Sequence, residues 1–178
     1  MQRKLISALL LAAALSGGFA HAAGKQKQQQ QQSLQGLFGN TPNNTPIMML
    51  AEVDSLDKRV EVAYVCDSQK GKTNLNAMYG IKNDALAAVQ LKYGEELTPN
   101  LYRVMNDTNG KHQDSYYNSG LTWITAKAAT PDKITSVEGK VLMQASSLDG
   151  GLPSGDQTLL FKDCKVDKAA TKKLNAKK

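Results

Sequence analysis

Side chains that could perform chemistry are scarce in this sequence. Beyond residue 22 the chain holds one histidine, His112, in a polar stretch. There is no G-x-S-x-G nucleophile elbow, phosphate-binding loop or dinucleotide fingerprint, so the usual sequence patterns for nucleophilic or nucleotide chemistry are missing. The neighbouring acids, Glu95 with Glu96 and Asp54 with Asp57, are typical of a solvated surface. We therefore predict a non-enzymatic protein without metal or cofactor.

The first 22 residues have the three parts of a secretory signal. Arg3 and Lys4 form a positive start, Leu5 to Leu15 is an apolar run, and Ala20-His21-Ala22 offers small residues to a signal peptidase. The apolar run is well short of the roughly 20 residues that span a bilayer. We expect cleavage after Ala22 and export, to the periplasm or to the outer-membrane surface, with no transmembrane segment in the mature chain.

The two cysteines of the chain, Cys66 and Cys164, both lie beyond the signal. In an oxidising compartment a lone pair of cysteines is far more often a disulfide than a metal or redox site, the alternative being two free thiols. The bond would close a loop of about 100 residues, for which the chain-entropy model gives roughly 4 to 5 kcal/mol.

The net charge of +6 is concentrated at the ends of the chain. The segment from Lys165 to Lys178 holds six lysines, whereas residues 47–164 hold 12 basic against 15 acidic residues, a net charge of about −3. A mildly acidic domain argues against nucleic-acid binding. A Lys-rich tail is typical of a solubilising appendage that can also touch anionic lipid or polysaccharide.

Three kinds of segment follow the signal. Residues 23–46 are Gln-rich and full of turn formers, which predicts a flexible spacer. Residues 47–166 become a β domain after an ambiguous start, either a short helix or a loop, and residues 167–178 are expected to form a disordered tail. Short alternating segments separated by turn residues predict a small antiparallel β-barrel closed by the one disulfide. The predicted strands are 60–66, 75–79 stopped at Gly80, 86–93, 97–105, 121–127, 134–137, 141–145 and 158–166, with a long loop over 147–156.

Aromatic residues suggest where a partner would bind. Trp123 lies on an alternating apolar position, which favours the core. Tyr116 and Tyr117 precede Asn118-Ser119-Gly120, and an exposed tyrosine pair beside a flexible Ser-Gly step suits recognition, although packing in the core is the alternative.

The terminal strands resemble those of a known family. VAYVC (Val62 to Cys66), the Tyr79-Gly80 step and LLFKDC (Leu159 to Cys164) resemble the adhesin complex protein family, whose small exported β-barrels are similar in fold to the membrane-bound and periplasmic inhibitors of c-type lysozyme. The resemblance covers about Val60 to Cys164, and the Gln-rich spacer and Lys-rich tail depart from it.

The resemblance implies that the domain inhibits c-type lysozyme by inserting a loop into the active-site cleft. The inhibitors use a Ser-Gly-x-x-Tyr motif, which Ser119 to Trp123 fits with Trp in the final place. Ser119, beside the flexible Gly120, would supply the hydroxyl. Lys127 is our candidate for the cation because it shares a strand face with Trp123 by period 2, whereas the inhibitors place their Lys further downstream in a Thr-Lys-Gly step that is absent here. The alternative function is a surface adhesin that binds host cells through Tyr116, Tyr117 and the tail.

Overall fold

A computed structural model of the chain describes residues 39–40, 46–107 and 112–176. The expected signal peptide and most of the expected spacer lie outside these residues. The described part is all-β with one short helix. Its elements are β1 (Gly39–Asn40), β2 (Pro46–Ile47), β3 (Lys58–Ser68), β4 (Gly71–Lys82), β5 (Ala85–Tyr93), β6 (Glu96–Leu97), β7 (Leu101–Arg103), β8 (Ser115–Asn118), β9 (Leu121–Thr125), a 3₁₀ helix (Ile134–Ser136), β10 (Gly139–Asp149), β11 (Leu152–Val166) and α1 (Lys168–Asn175).

Eight antiparallel strands form a closed barrel, which confirms the predicted architecture. Around the barrel the order is β4-β3-β11-β10-β9-β8-β7-β5, and the pairing of β5 with β4 closes the ring. Apart from the pair of β3 with β11, neighbouring barrel strands follow one another in sequence, with only β6 between β5 and β7, as expected when short connections join successive strands. The short strand β6 adds to β5, and β1 pairs with β2 in a separate two-stranded ladder.

The first and last barrel strands meet at one seam, and the disulfide lies in it. β3 and β11 pair from Phe161 opposite Ser68 to Val166 opposite Tyr64, with a bulge between Lys162 and Lys165. Cys66 and Cys164 form the predicted disulfide across this seam, 98 residues apart in sequence. Both cysteines are fully buried, so the bond ties together the strands whose pairing requires the longest loop closure.

The barrel interior contains a chain of aromatic hydrogen bonds. Trp123 Nε1 donates to the Tyr79 hydroxyl at 2.9 Å, and the Tyr64 hydroxyl donates to the carbonyl of Val137 at 3.0 Å. The two tyrosine hydroxyls lie 3.2 Å apart. Because the Tyr64 proton is already directed to Val137, Tyr79 donates to Tyr64. The chain satisfies three buried polar groups without water, as a closed apolar interior requires.

The C-terminal segment is ordered, so the prediction of a disordered tail is wrong for Lys168–Asn175. Asp167 caps α1 by accepting a hydrogen bond from the amide of Ala170 at 2.9 Å, a standard stabilising contact for an N-terminus. The missed signal was this Asp before a run of good helix formers.

The helix also completes the sheet. β11 accompanies β3 only as far as Tyr64, which leaves the remaining half of that edge without a strand partner. The Thr171 hydroxyl accepts from the amide of Ala63 at 2.9 Å, and the Asn175 side chain bonds both the amide and the carbonyl of Glu61, at 3.1 and 2.7 Å. Side chains of α1 thus take the place of a neighbouring strand along this part of β3. Without them, the exposed edge of β3 would be open to pairing with another chain.

Three local predictions also need correction. The expected strand over 134–137 is a 3₁₀ helix, and the expected loop over 147–156 is largely paired in the hairpin of β10 and β11. β4 does not stop at Gly80 but continues to Lys82. Leu56 packs on Gly80 so closely that a Cβ there would lie 2.6 Å from Leu56 Cδ1. Residues 48–57, the ambiguous start of the domain, contain no helix and make one isolated bridge, Leu50 to Val104.

Candidate partner-binding site

A tight turn at one end of the barrel carries the predicted Ser-Gly step. Asn118 of β8 pairs with Leu121 of β9, so Ser119 and Gly120 are the two turn residues. Both have positive φ, +50° and +83°, which is the type I′ geometry that matches the twist of a two-residue hairpin. Glycine adopts this conformation freely, whereas for Ser119 it costs about 1 to 2 kcal/mol. The turn therefore holds an exposed serine in a conformation that serine disfavours.

Hydrogen bonds fix the direction of the Ser119 side chain. The Ser119 hydroxyl donates to Asn118 Oδ1 at 2.9 Å. The amide nitrogen of the Asn118 side chain donates in turn to the carbonyl of Asn100 at 2.8 Å. The hydroxyl is thus held by a side chain that is itself anchored to the neighbouring connection, and it stays at the surface.

Gly120 and Tyr117 brace the turn against the hairpin of β10 and β11. Tyr117 donates its hydroxyl to the carbonyl of Gly151 at 2.7 Å and accepts from the amide of Gly120 at 3.2 Å. Gly120 is buried, and a Cβ there would lie 2.8 Å from Gln144 Nε2 and 3.3 Å from Leu148 Cδ2. Burial raises the pKa of Tyr117, which keeps this hydroxyl protonated as a donor. Tyr117 is 4% exposed, and its hydroxyl links the turn to the hairpin of β10 and β11.

The prediction of an exposed tyrosine pair is therefore wrong. Tyr116 is fully buried and faces the barrel interior opposite Trp123, with its ring 5.8 Å from that of Tyr79. Trp123 is fully buried as well, which confirms its core position and removes it, with Tyr116, from direct contact with a partner. In a barrel strand, alternate residues point inward, and Tyr116 is paired with the interior Trp123 of β9, so Tyr116 falls on the inner face.

Lys127 is exposed but lies at the opposite end of the barrel from Ser119. β9 begins beside the Ser119 turn and ends at Thr125, whose hydroxyl donates to the carbonyl of Lys127 at 2.8 Å. Five residues of strand span roughly 13 Å at about 3.3 Å per residue. Because Lys127 lies beyond this strand, the structure does not bring it together with Ser119 in one contact surface.

Two residues that the sequence analysis did not single out lie beside the turn. Leu148 is 51% exposed although it packs near Gly120, and Asp149 follows it at the tip of β10. We call Asn118, Ser119, Gly120, Leu148 and Asp149 the turn surface. It combines a hydroxyl, an apolar side chain and an acid on a braced backbone. The signal for Leu148 was an apolar side chain in a largely polar, Gly-rich segment.

Comparisons with protein-family models, with curated proteins and with solved structures find no match to this chain. Within residues 46–107 and 112–176, no three side chains of His, Cys, Asp or Glu are grouped so that they could hold a metal ion. The part of the chain that the structure describes also has no helix long and apolar enough to cross a membrane.

Proposed function

We propose that this domain binds and inhibits a c-type lysozyme, with the turn surface entering the active-site cleft, and that it serves as an exported protein of the cell envelope. The observation that carries the proposal is the exposed Ser119 hydroxyl on a two-residue turn that is held in a strained conformation by its neighbours. Strain of this kind in a non-glycine residue is often retained where the backbone must present a side chain. The resemblance of VAYVC and LLFKDC to the adhesin complex family supports the same function.

The chemistry of the cleft suits a hydroxyl. Lysozyme cleaves its substrate between two carboxyl groups, one protonated and one ionised. The Ser119 hydroxyl donates to Asn118 Oδ1 in the free protein, and a lysozyme carboxylate would take the place of this neutral acceptor. Hydrogen bonds to an ionised acceptor are roughly twice as strong as neutral ones, so the exchange favours the complex.

Charge favours the encounter with a basic enzyme. The segment from residue 47 to residue 164 carries about −3, and Asp149 places one of these acids on the turn surface. Complementary charge raises the association rate more than the final affinity. Inhibition should therefore develop more slowly at high salt while its end point changes less.

Lysis of a cell-wall suspension by a c-type lysozyme tests the proposal directly. The oxidised mature chain, residues 23–178, should slow the fall in turbidity in proportion to its concentration. No inhibition at a tenfold molar excess would rule out the function for that enzyme.

A substitution that preserves the fold tests the role of the turn. Ser119→Gly removes the hydroxyl and places at φ +50° the residue that tolerates it best, so the variant should fold at least as stably and inhibit about tenfold less, as expected for a lost charge-assisted hydrogen bond. Ser55→Gly, in the exposed segment before β3, is the matched control and should inhibit like the wild type. Lys127→Ala should also inhibit normally, because Lys127 lies at the other end of β9. Equal loss in all three variants would exclude the turn surface as the contact.

The adhesin alternative loses its tyrosine pair but keeps the exposed lysines of the C-terminal segment. Tyr116 and Tyr117 are buried, and α1 is part of the barrel edge. We do not carry adhesion through the tyrosine pair forward as a second proposal.

A further inference from the structure

A groove runs between α1 and the 3₁₀ helix, away from the turn surface. Its volume is about 570 Å³, and its walls include Lys168 and Lys172 of α1 and Thr135 and Ser136 of the 3₁₀ helix. Lys168 and Lys172 are four residues apart, so they share one side of the helix, about 6 Å apart along its axis. Both lysines are exposed.

The two lysines have no acidic partner within the described chain. The ion pairs there join other residues, such as Lys165 with Glu138 at 2.7 Å. Asp167, the acid nearest to Lys168 in sequence, uses its carboxylate to cap α1. Thr171 and Asn175 at the base of the groove are occupied by the edge of β3. The ammonium groups of Lys168 and Lys172 are therefore available to an outside anion.

The rest of the lining narrows the class of anion. The groove is lined by side chains of Thr135, Ser136, Lys168, Thr171, Lys172, Asn175 and Ala176, and much of its wall is formed by their aliphatic carbons, with no aromatic or large aliphatic side chain among them. Nucleic-acid binding to single strands uses aromatic stacking platforms, and insertion at a membrane surface uses a large apolar face; this groove offers neither. The two ammonium groups, with the Thr135 hydroxyl on the opposite wall, match the acidic groups and hydroxyls of a charged sugar chain.

We propose that this groove binds the anionic groups of an acidic polysaccharide. Lys168 and Lys172 supply the charge, and Thr135 supplies a hydrogen bond from the opposite wall. The site is independent of lysozyme binding, since it involves α1 and the 3₁₀ helix instead of the β8–β9 turn. The two lysines of the groove are basic, whereas residues 47–164 carry a net negative charge. One molecule would therefore present surfaces of opposite charge to two different partners.

Calorimetric titration of the mature chain with a heparin-derived hexasaccharide tests the groove. The acidic hexasaccharide should bind at about 0.01 M salt. It should bind at least tenfold more weakly at about 0.15 M salt, because the Debye length falls from about 30 Å to about 8 Å between these two concentrations. The neutral hexasaccharide of glucose, maltohexaose, should not bind. Phosphatidylglycerol vesicles should not compete.

Substitutions locate the binding. Lys168→Ala with Lys172→Ala should weaken binding about tenfold, since exposed ion pairs contribute modestly and two are lost. Lys92→Ala with Lys162→Ala removes the same charge from exposed strand positions and should change the dissociation constant less than about twofold. Thr135→Val should weaken binding a few-fold without altering charge.

Four results would overturn the proposal. They are no binding of the acidic hexasaccharide at low salt, equal losses in the two double variants, full affinity after loss of Lys168 and Lys172, and competition by the vesicles. Because alanine favours helix formation over lysine, α1 should survive the double substitution, and the circular dichroism spectrum checks this.

Discussion

Replacing Tyr79 by phenylalanine removes one oxygen atom from the middle of the interior hydrogen-bond chain. Trp123 Nε1 then loses its acceptor, and the Tyr64 hydroxyl loses its donor. All three side chains are at most 1% exposed, so water cannot replace the missing partner without opening the barrel. A buried polar group left without a partner costs about 1 to 3 kcal/mol, and we expect Tyr79→Phe to lower the free energy of unfolding by about 2 to 4 kcal/mol.

Tyr116→Phe is the matched control, because it also removes one hydroxyl oxygen from the barrel interior but should not lower the free energy of unfolding. Tyr116 is fully buried, its ring contacts that of Tyr79, and its hydroxyl has no hydrogen-bond partner among the residues described. Deleting an unpaired buried hydroxyl removes a desolvation penalty. The free energy of unfolding should therefore stay within about 0.5 kcal/mol of the wild type or rise.

Urea unfolding of the oxidised chain of residues 23–178 measures both variants. Trp123 is the single tryptophan and lies inside the chain that is being altered, so its fluorescence reports unfolding, and far-ultraviolet circular dichroism provides a second probe that does not depend on it. The slope of the free energy against urea should be the same for all three proteins, because the surface exposed on unfolding does not change. Equal destabilisation by the two substitutions would refute the hydrogen-bond reasoning and leave only the loss of packing around the rings.

The remaining predictions concern packing, the helix and alkaline pH. Gly139→Ala should cost about 3 kcal/mol in urea unfolding, because a Cβ at Gly139 would run into the Trp123 ring; a loss below about 1 kcal/mol would show that the ring can move aside. Asn175→Ala should speed hydrogen exchange at the amide of Glu61 about tenfold, since that amide donates to the Asn175 side chain; unchanged exchange would mean that α1 does not protect this edge. Burial raises the pKa of Tyr79 to about 12 from 10.0, so above pH 10 the folded state holds a proton that the unfolded state loses. The free energy of unfolding should fall with rising pH between about 10 and 12, by up to about 1.4 kcal/mol per pH unit for each such tyrosine, and Tyr79→Phe should reduce that slope.

Much of the fold could be predicted from the sequence because its information was local. Alternating apolar residues around Val62 and Leu75 indicated strands, and the structure has strands there. The pairing of Cys66 with Cys164 could be predicted because the chain has two cysteines and export was expected, and the barrel makes their strands neighbours. The Ser119-Gly120 step indicated a flexible connection, but strand β8 before it was not among the predicted strands.

Other features depended on contacts between distant segments. Alternation says that Tyr116 and Tyr117 point to opposite faces, but only the register of β8 against β9 decides which one enters the barrel. The Lys-rich composition of the C-terminus suggested a solvated tail, yet α1 is held by the backbone of Glu61 and Ala63, more than 100 residues earlier in the chain. Amino-acid composition cannot predict hydrogen bonds between residues so far apart in the chain.

The sequence by itself determined the class of the domain and its cross-link, because these follow from local periodicity and the oxidation of a lone cysteine pair. Tertiary structure alone decided which side chains reach a partner. It buried Tyr116 and Tyr117, separated Lys127 from Ser119 by the length of a strand, and brought Leu148 beside the turn. The physical reason is that closing a barrel fixes the inner and outer faces and the ends of all its strands at once, and no single strand carries that information.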